Sequence, residues 1–318
     1  MSRFTRIGLT MFVIIVGGLS LLPYLLSDGA DGEMPEQPFA DSRFAEIAGQ
    51  RLHYRVREPA GTAEGSVLLI HGMAGSSFSW RENVGALADA GYRVVTLDLP
   101  PFGYSERRAP ADAGTDYAEL VSGLLASEFP AAGDWVLVGH SMGASAIAAV
   151  AATTDIPLRG LVFVGGTHET ADARGDPNVI SRTVFAYPPV QRWIATVAGR
   201  RMLHEEGLGR ALASAYGREP EQDEVHGYLE PLQIAGTPRA FVRKLMQPQT
   251  VALEHTAGVP GLVIWGEGDE WVPVSSGRRL AENRPDTRME IIDGAGHSPM
   301  ETHPEAFNRL LLDFLAKL

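Results

Sequence analysis

The most constraining stretch of this chain is Trp135 to Gly143, W-V-L-V-G-H-S-M-G, because it packs a buried strand, a sharp turn and a helix start into a few residues. Trp135 to Val138 is apolar and largely β-branched, as a strand covered on both faces should be. Ser141 to Ala152 is Ala-rich and reads as a helix. Between them lies G-x-S-x-G, and its spacing has a physical reason. A serine raised on a strand-to-helix turn sits at strained backbone angles, and side chains on its neighbours would collide, so Gly139 and Gly143 supply room. The helix that follows aims its first N–H groups at any anion forming beside the serine. The bland alternative, a glycine-lined helix start with Ser141 as an ordinary cap, makes no demand on the rest of the chain. The nucleophile reading demands a base and an acid further on.

A serine hydroxyl attacks poorly without a base. Of the 9 histidines, His297 is the candidate. It lies in D-G-A-G-H-S-P-M-E, a glycine-rich loop after the last expected strand, at the same carboxyl edge of a sheet as Ser141. His303, just before Pro304, reads as a surface or capping residue. The imidazole needs a carboxylate to set its tautomer. Asp269 in W-G-E-G-D-E-W-V-P follows the strand Leu262 to Trp265; Glu267 stands too early in the loop, and Glu270 is the fallback. Upstream, His71-Gly72-Met73-Ala74-Gly75 follows the strand Ser66 to Ile70. The backbone N–H groups of Met73 and Met142 are the expected pair of oxyanion donors. His71 and Gly72 are expected to support that loop, and Asp98 to fix the next one.

Around these motifs the chain alternates short apolar runs with amphipathic stretches, the pattern of a sheet covered by helices on both faces. A hairpin is expected from Phe44 to Ala48 and Leu52 to Arg57 about Gly49-Gln50, with further strands at Arg93 to Asp98, Leu161 to Val164 and Arg288 to Ile292. Helices are expected at Trp80 to Ala90, closed by Gly91, at Asp116 to Phe129, from Ser275, and from Pro304. From Thr167 to Gln249 no β-rich run occurs, only helical pieces broken by prolines, so this block reads as an insertion into one α/β domain. With 318 residues, 45% hydrophobic and 21% charged, such a domain can bury a full core. A net charge of -12 argues against nucleic acid as a partner, and the absence of cysteine excludes thiol catalysis, disulfides and thiolate metal sites.

The first thirty residues are a separate matter. After Arg3 and Arg6, residues Ile7 to Leu26 carry no charge, just long enough at about 1.5 Å per residue to cross a hydrocarbon core of roughly 30 Å. Asp28, Asp31 and Glu33 follow. Basic residues before the span and acidic ones after it imply a cytoplasmic N-terminus (1–6), a single transmembrane helix (7–26), a linker (27–42) and an extracytoplasmic body. A cleaved signal peptide is the competing reading, with secretion as its consequence.

Taken in order, H-G-M-A-G, D-L-P-P-F-G-Y-S, G-H-S-M-G, G-E-G-D-E-W-V-P and G-A-G-H-S-P-M-E resemble the α/β-hydrolase superfamily, over about Arg43 to Leu318. The resemblance implies a mostly parallel twisted sheet flanked by helices, with the core at 43–166 and 250–318 and a helical cap at 167–249. It also implies the chain order of nucleophile, acid and base matched by Ser141, Asp269 and His297. Pro101, where many members have glycine, and Ala144 after the elbow depart from the pattern in ways that affect loop shape. The chemistry implied is hydrolysis of a small or medium, partly apolar carboxylic ester through an acyl-enzyme, with no metal or organic cofactor. C–C bond hydrolysis of vinylogous diketones is performed by members with the same triad. A non-catalytic member binding a ligand through its cap is the alternative of another class. Oligomeric state is open.

Overall fold

The computed structural model describes residues 3–107, 116–166, 184–185, 187–246 and 258–318. Eight strands, β1 (Ser42–Ile47), β2 (Gln50–Arg57), β3 (Gly65–Ile70), β4 (Tyr92–Leu97), β5 (Trp135–His140), β6 (Leu158–Val164), β7 (Gly261–Gly266) and β8 (Thr287–Ile292), form one sheet. Their order is β1-β2-β4-β3-β5-β6-β7-β8. The hairpin β1–β2 and the β2–β4 pair are antiparallel, and every other pair is parallel. This is the doubly wound α/β-hydrolase architecture expected from the sequence.

Both faces of the parallel strands are buried, and their residues alternate between two cores as a period of two requires. Leu68, Ile70, Leu137, Leu161, Phe163, Val263 and Trp265 join one core with α3 (Tyr117–Glu128) and α4 (Met142–Thr153). Val67, Leu69, Val136, Val138, Val162, Val164, Leu262 and Ile264 join the other with α2 (Arg81–Asp89) and α11 (Pro304–Leu315). Because β3 has β4 on one side and β5 on the other, the winding reverses between β3 and β5. A crevice opens there at the carboxyl ends, where ligands of such sheets bind. The 71–75 loop and Ser141 stand on either side of it.

Three boundaries differ from expectation for tertiary reasons. The hairpin turn is Ala48-Gly49, both left-handed at φ 49° and 73°, one residue earlier than Gly49-Gln50. Strand β5 runs on to His140 because β6 keeps pairing with it as far as His140 opposite Val164. Strand β6 begins at Leu158, held opposite Trp135, rather than at Leu161.

Between β6 and β7 lie α5 (Pro188–Met202), α6 (Glu205–Tyr216), α7 (Gln222–Leu232) and α8 (Thr237–Met246). The expected cap limits at Thr167 and Gln249 fall outside the described residues. Leu208, Leu212, Tyr216, Val225, Tyr228, Leu229 and Leu232 form a small core of their own, into which Phe78 of the main domain inserts. Helix α1 (Arg3–Leu25) carries the apolar N-terminal segment, and α9 (Val274–Glu282) and α10 (Pro299–Thr302) complete the chain. The segment read as a linker is not loose along its length. Gly32 donates to Gln233 O at 2.9 Å, Ala235 donates back to Gly32 O at 2.8 Å, and Asp28 is buried near Arg192 and Arg239.

Candidate active site

Ser141 occupies the turn between β5 and α4 at φ 51°, ψ −113°, a conformation that costs a non-glycine residue of order 1–3 kcal/mol. The surroundings hold it there. A Cβ on Gly139 would lie 2.3 Å from Gly143 O, one on Gly143 2.4 Å from Ile70 O, and one on Gly166 2.3 Å from Ser141 O. Each approach is far inside van der Waals contact, so G-x-S-x-G works here as a packing requirement. Gly166, on the neighbouring strand end, is a third glycine of the elbow that motif reading missed.

His297 and Asp269 meet as expected. The imidazole Nδ1–H donates to Asp269 Oδ2 at 2.8 Å, and both side chains are almost wholly buried. The other carboxylate oxygen accepts the backbone N–H groups of Trp271 and Val272, each at 2.9 Å, which fixes the carboxylate plane. Glu270 is exposed, and Glu267 accepts from Gly294 N at 3.3 Å on the outside of the loop. Neither competes for His297. The Trp271 ring stacks on the imidazole with centroids 5.2 Å apart.

The histidine loop is pinned to the serine turn by a group the sequence did not single out. Buried His140, one residue before Ser141, donates its Nε2–H to His297 O at 2.9 Å. Burial, together with the neighbouring His297, lowers the His140 pKa to about 3, so the ring stays neutral and keeps this tautomer. Among the described residues the Ser141 hydroxyl makes no hydrogen bond to His297.

On the crevice's other wall, His71 plays the supporting part expected of it. Its Nδ1–H donates to Gly72 O at 2.6 Å and its Nε2 accepts Leu99 N–H at 2.9 Å, a neutral ring maintained by burial, which lowers its pKa. A Cβ on Gly72 would lie 2.8 Å from His140 Nδ1, which lets the two walls close on each other. The N–H groups of Met73 and Met142 have no hydrogen-bond partner among the described residues. Asp98 fixes its loop as expected, accepting from Ser77 N at 2.6 Å and Tyr104 N at 2.7 Å. Burial would push its carboxyl up, but His53 and these donors outweigh it and hold the pKa below the ordinary value. His303 bonds Thr302 Oγ1 at 3.0 Å at a helix junction, away from Asp269.

A second Ser-His-Asp set exists that sequence reading did not foresee. His53 Nδ1 lies 2.8 Å from Asp98 Oδ2, and His53 Nε2 lies 2.8 Å from Ser42 Oγ. Three features separate it from Ser141. Ser42 lies in a regular edge strand, its hydroxyl accepts Phe39 N–H at 3.0 Å, and the imidazole is enclosed by Phe39, Phe44 and Tyr104. No helix starts beside it to hold an anion, so it reads as a structural network.

The cap touches the acid and base loops directly. His297 N–H donates to Ala215 O at 2.6 Å, and Trp271 Nε1–H donates to Ser214 Oγ at 3.0 Å. Four residues after His297, buried Glu301 accepts Tyr216 Oη–H at 2.9 Å, Tyr228 Oη–H at 2.7 Å and the Arg81 guanidinium. Burial works against the Arg81 charge, but Glu301 more than offsets it and raises the guanidinium pKa. Arg81 also reaches Glu224 at 3.0 Å, so the cap is tied to the core by ions as well as by packing.

Comparison with known proteins places this geometry. The chain is 27% identical over 285 residues to the 2-hydroxy-6-oxononadienedioate/2-hydroxy-6-oxononatrienedioate hydrolase of Burkholderia vietnamiensis (strain G4 / LMG 22486), covering 84% of this chain and 91% of that protein. Among solved structures it is similar to a putative aryl esterase from Burkholderia cenocepacia, at TM-score 0.66 and 25% identity, covering 87% of this chain and 98% of the other. A membrane phospholipase A described as a bacterial virulence factor shares the fold at TM-score 0.67 and 20% identity, covering 100% of this chain and 99% of the other. A family model described as "Alpha/beta hydrolase family" matches residues 67–310, spanning every site residue described above, and the chain belongs to that family.

Proposed function

We propose that this protein is a membrane-tethered serine hydrolase that cleaves a carboxylic ester through an acyl-enzyme, with Ser141 as nucleophile, His297 as base and Asp269 as its orienting acid. The observation that carries the reading is Ser141 at φ 51° on the first turn of α4, with unengaged N–H groups at Met142 and Met73 on the two walls of one crevice. His297 Nε2 takes the Ser141 proton as the oxygen bonds to the acyl carbon. The carbonyl oxygen, now negative, lies against the two N–H groups. Collapse breaks the ester C–O bond, and His297 returns the proton to the leaving alcohol. Water, deprotonated by His297, then repeats the attack and frees the acid and Ser141. Asp269 stays ionised and holds the imidazole in the tautomer with Nδ1–H. Every step runs on protein groups and water, without a cofactor.

The apolar helix α1 acts in this proposal as a single uncleaved span, N-terminus in the cytoplasm and body outside, with a small-molecule ester as the substrate. Within it, Phe4–Leu25 is a 22-residue stretch of mean hydropathy 2.0. C–C hydrolysis of a vinylogous diketone is the second reading, favoured by what the Burkholderia vietnamiensis relative is named for. The deciding experiment offers detergent-solubilised full-length protein short- and medium-chain esters beside a diketone dienoate, with fluorophosphonate labelling of wild type and Ser141→Ala. Ester turnover and one labelled serine, both lost in the variant, are expected. Turnover of the diketone alone would replace the ester reading, and labelling that survives Ser141→Ala would overturn the nucleophile.

A further inference from the structure

Helix α1 is long enough, at about 33 Å for the 22 residues of Phe4–Leu25, to span a bilayer. It does not leave the body on a free tether. Pro23 lies inside α1 and has no N–H, so the carbonyl four residues earlier, that of Leu19, loses its helical donor. Trp193 of the cap supplies one, donating Nε1–H to Leu19 O at 2.8 Å. Arg192 Nε–H serves Pro23 O at 3.1 Å, one of the carbonyls a helix end leaves unpaired. Arg200 Nε–H reaches Ser27 O at 2.9 Å, and Tyr187 Oη lies 3.0 Å from Ser20 Oγ. Gly199 lets the chains touch, since a Cβ there would lie 1.9 Å from Asp28 O.

These contacts set a direction. As α1 rises from Ser20 to Asp28, α5 rises beside it from Tyr187 to Arg200. Tyr187 is therefore level with Ser20, about 8 Å below the end of the span at 1.5 Å per residue, while Arg200 and Arg201 stand above that end. Tyr187, level with Ser20, and Val184 and Phe185 just before it in the chain are all exposed at 46–49%. Apolar and aromatic side chains at the depth of the headgroup–acyl boundary, with basic ones above them, match what that boundary favours.

Resting on the membrane-anchor and serine-hydrolase readings above, we infer that Val184, Phe185 and Tyr187, just before α5, are seated in the lipid leaflet beside α1, and that the substrate is an ester amphiphile resident in that bilayer. The cap that carries this seat also touches the His297 and Asp269 loops through Ala215 and Ser214. A lipid leaving the leaflet at α5 thus meets the same helical insertion that contacts the His297 and Asp269 loops. Water adds across the lipid ester, its OH to the acyl carbon and its H to the alcohol oxygen, releasing a fatty acid and the deacylated lipid. With a net charge of -12 the seat is apolar rather than electrostatic, so zwitterionic lipid suffices.

The chain has no cysteine, so single cysteines report position without background. Full-length Phe185→Cys and, as a control on α11, Glu305→Cys would be labelled with an environment-sensitive fluorophore and reconstituted into phosphatidylcholine vesicles holding spin-labelled quencher lipid. The label at 185 should be quenched severalfold more than the control. Trp193→Phe, which keeps the ring and loses the donor, should lower the ratio of vesicle-lipid hydrolysis to short soluble-ester hydrolysis by about tenfold. Equal quenching at both positions, or a wild type that cleaves soluble esters but no vesicle lipid, overturns the inference while the serine-hydrolase reading stands. Extraction of the full-length protein by alkaline carbonate overturns the anchor and the seat together, and absent fluorophosphonate labelling overturns the hydrolase reading itself.

Discussion

Replacing Asp269 by asparagine tests the acid–base pair at its most informative atom. Oδ1 accepts two backbone N–H groups, from Trp271 and Val272, and Oδ2 accepts the Nδ1–H of His297. An asparagine of the same shape has two choices. Keeping its oxygen on the two backbone donors turns its NH₂ toward His297, which must then carry its proton on Nε2 and cannot accept one from Ser141. Flipping the amide restores an acceptor for His297 but sets an NH₂ against the two backbone N–H groups at 2.9 Å. Losing both hydrogen bonds costs roughly 1–3 kcal/mol, so the first arrangement prevails. The expected loss in kcat/KM is on the order of 10⁴, about 5 kcal/mol of transition-state stabilisation, as for the same change in serine proteases. Thermal unfolding should change little, because the backbone hydrogen bonds survive. The assay is ester turnover by the purified protein, with Glu270→Gln as control. A loss under tenfold, or a greater loss in Glu270→Gln, would refute the reasoning.

Three further outcomes follow from the geometry. Ser42→Ala should keep fluorophosphonate labelling and ester turnover within a fewfold of wild type, whereas Ser141→Ala should lose both; loss of labelling in Ser42→Ala would make the edge-strand set catalytic. Gly166→Ala puts a methyl 2.3 Å from Ser141 O, so a melting scan and turnover should show lost stability and a steep fall in activity, and unchanged values would mean the elbow is looser than described. Lys244 is buried with the Tyr117 ring over its ammonium, at 3.9 Å, and no acidic partner among the described residues, and burial lowers its pKa from 10.5 to about 8. The unfolded chain therefore holds that proton more tightly, and the cost to the fold is fully present below pH 8 and relieved as pH rises toward 10.5. Lys244→Met should raise the melting temperature at pH 7, by up to about 3 kcal/mol of stability less the lost ring contact, and the gain should fade above pH 10. A pH-independent difference would show that the charge is not the cause.

Much of this protein was legible because its chemistry is local in sequence. The G-x-S-x-G turn, the strand before it and the helix after it are neighbours in the chain, so strain, room and N–H direction could be argued from residue types alone. Asp269 could be preferred to Glu267, with Glu270 kept as the fallback, because position relative to a strand's end decides which side chain reaches inward. What tertiary structure decided is whatever depends on two distant segments meeting. His140 is one residue from Ser141, yet its role appears only when the 297 carbonyl is set against it. Gly166 is a glycine for the sake of Ser141 O, and Ser42, His53 and Asp98 come together only because β2 lies between β1 and β4. Glu301 is only one more acid in the sequence until Arg81, Tyr216 and Tyr228 close around it. The apolar N-terminal segment raises the expectation of a membrane span by length and composition, which are additive along a chain. That Trp193 meets the carbonyl freed by Pro23 could not be read there, since a missing N–H at one position says only that a donor is needed and the fold alone determines which residue supplies it.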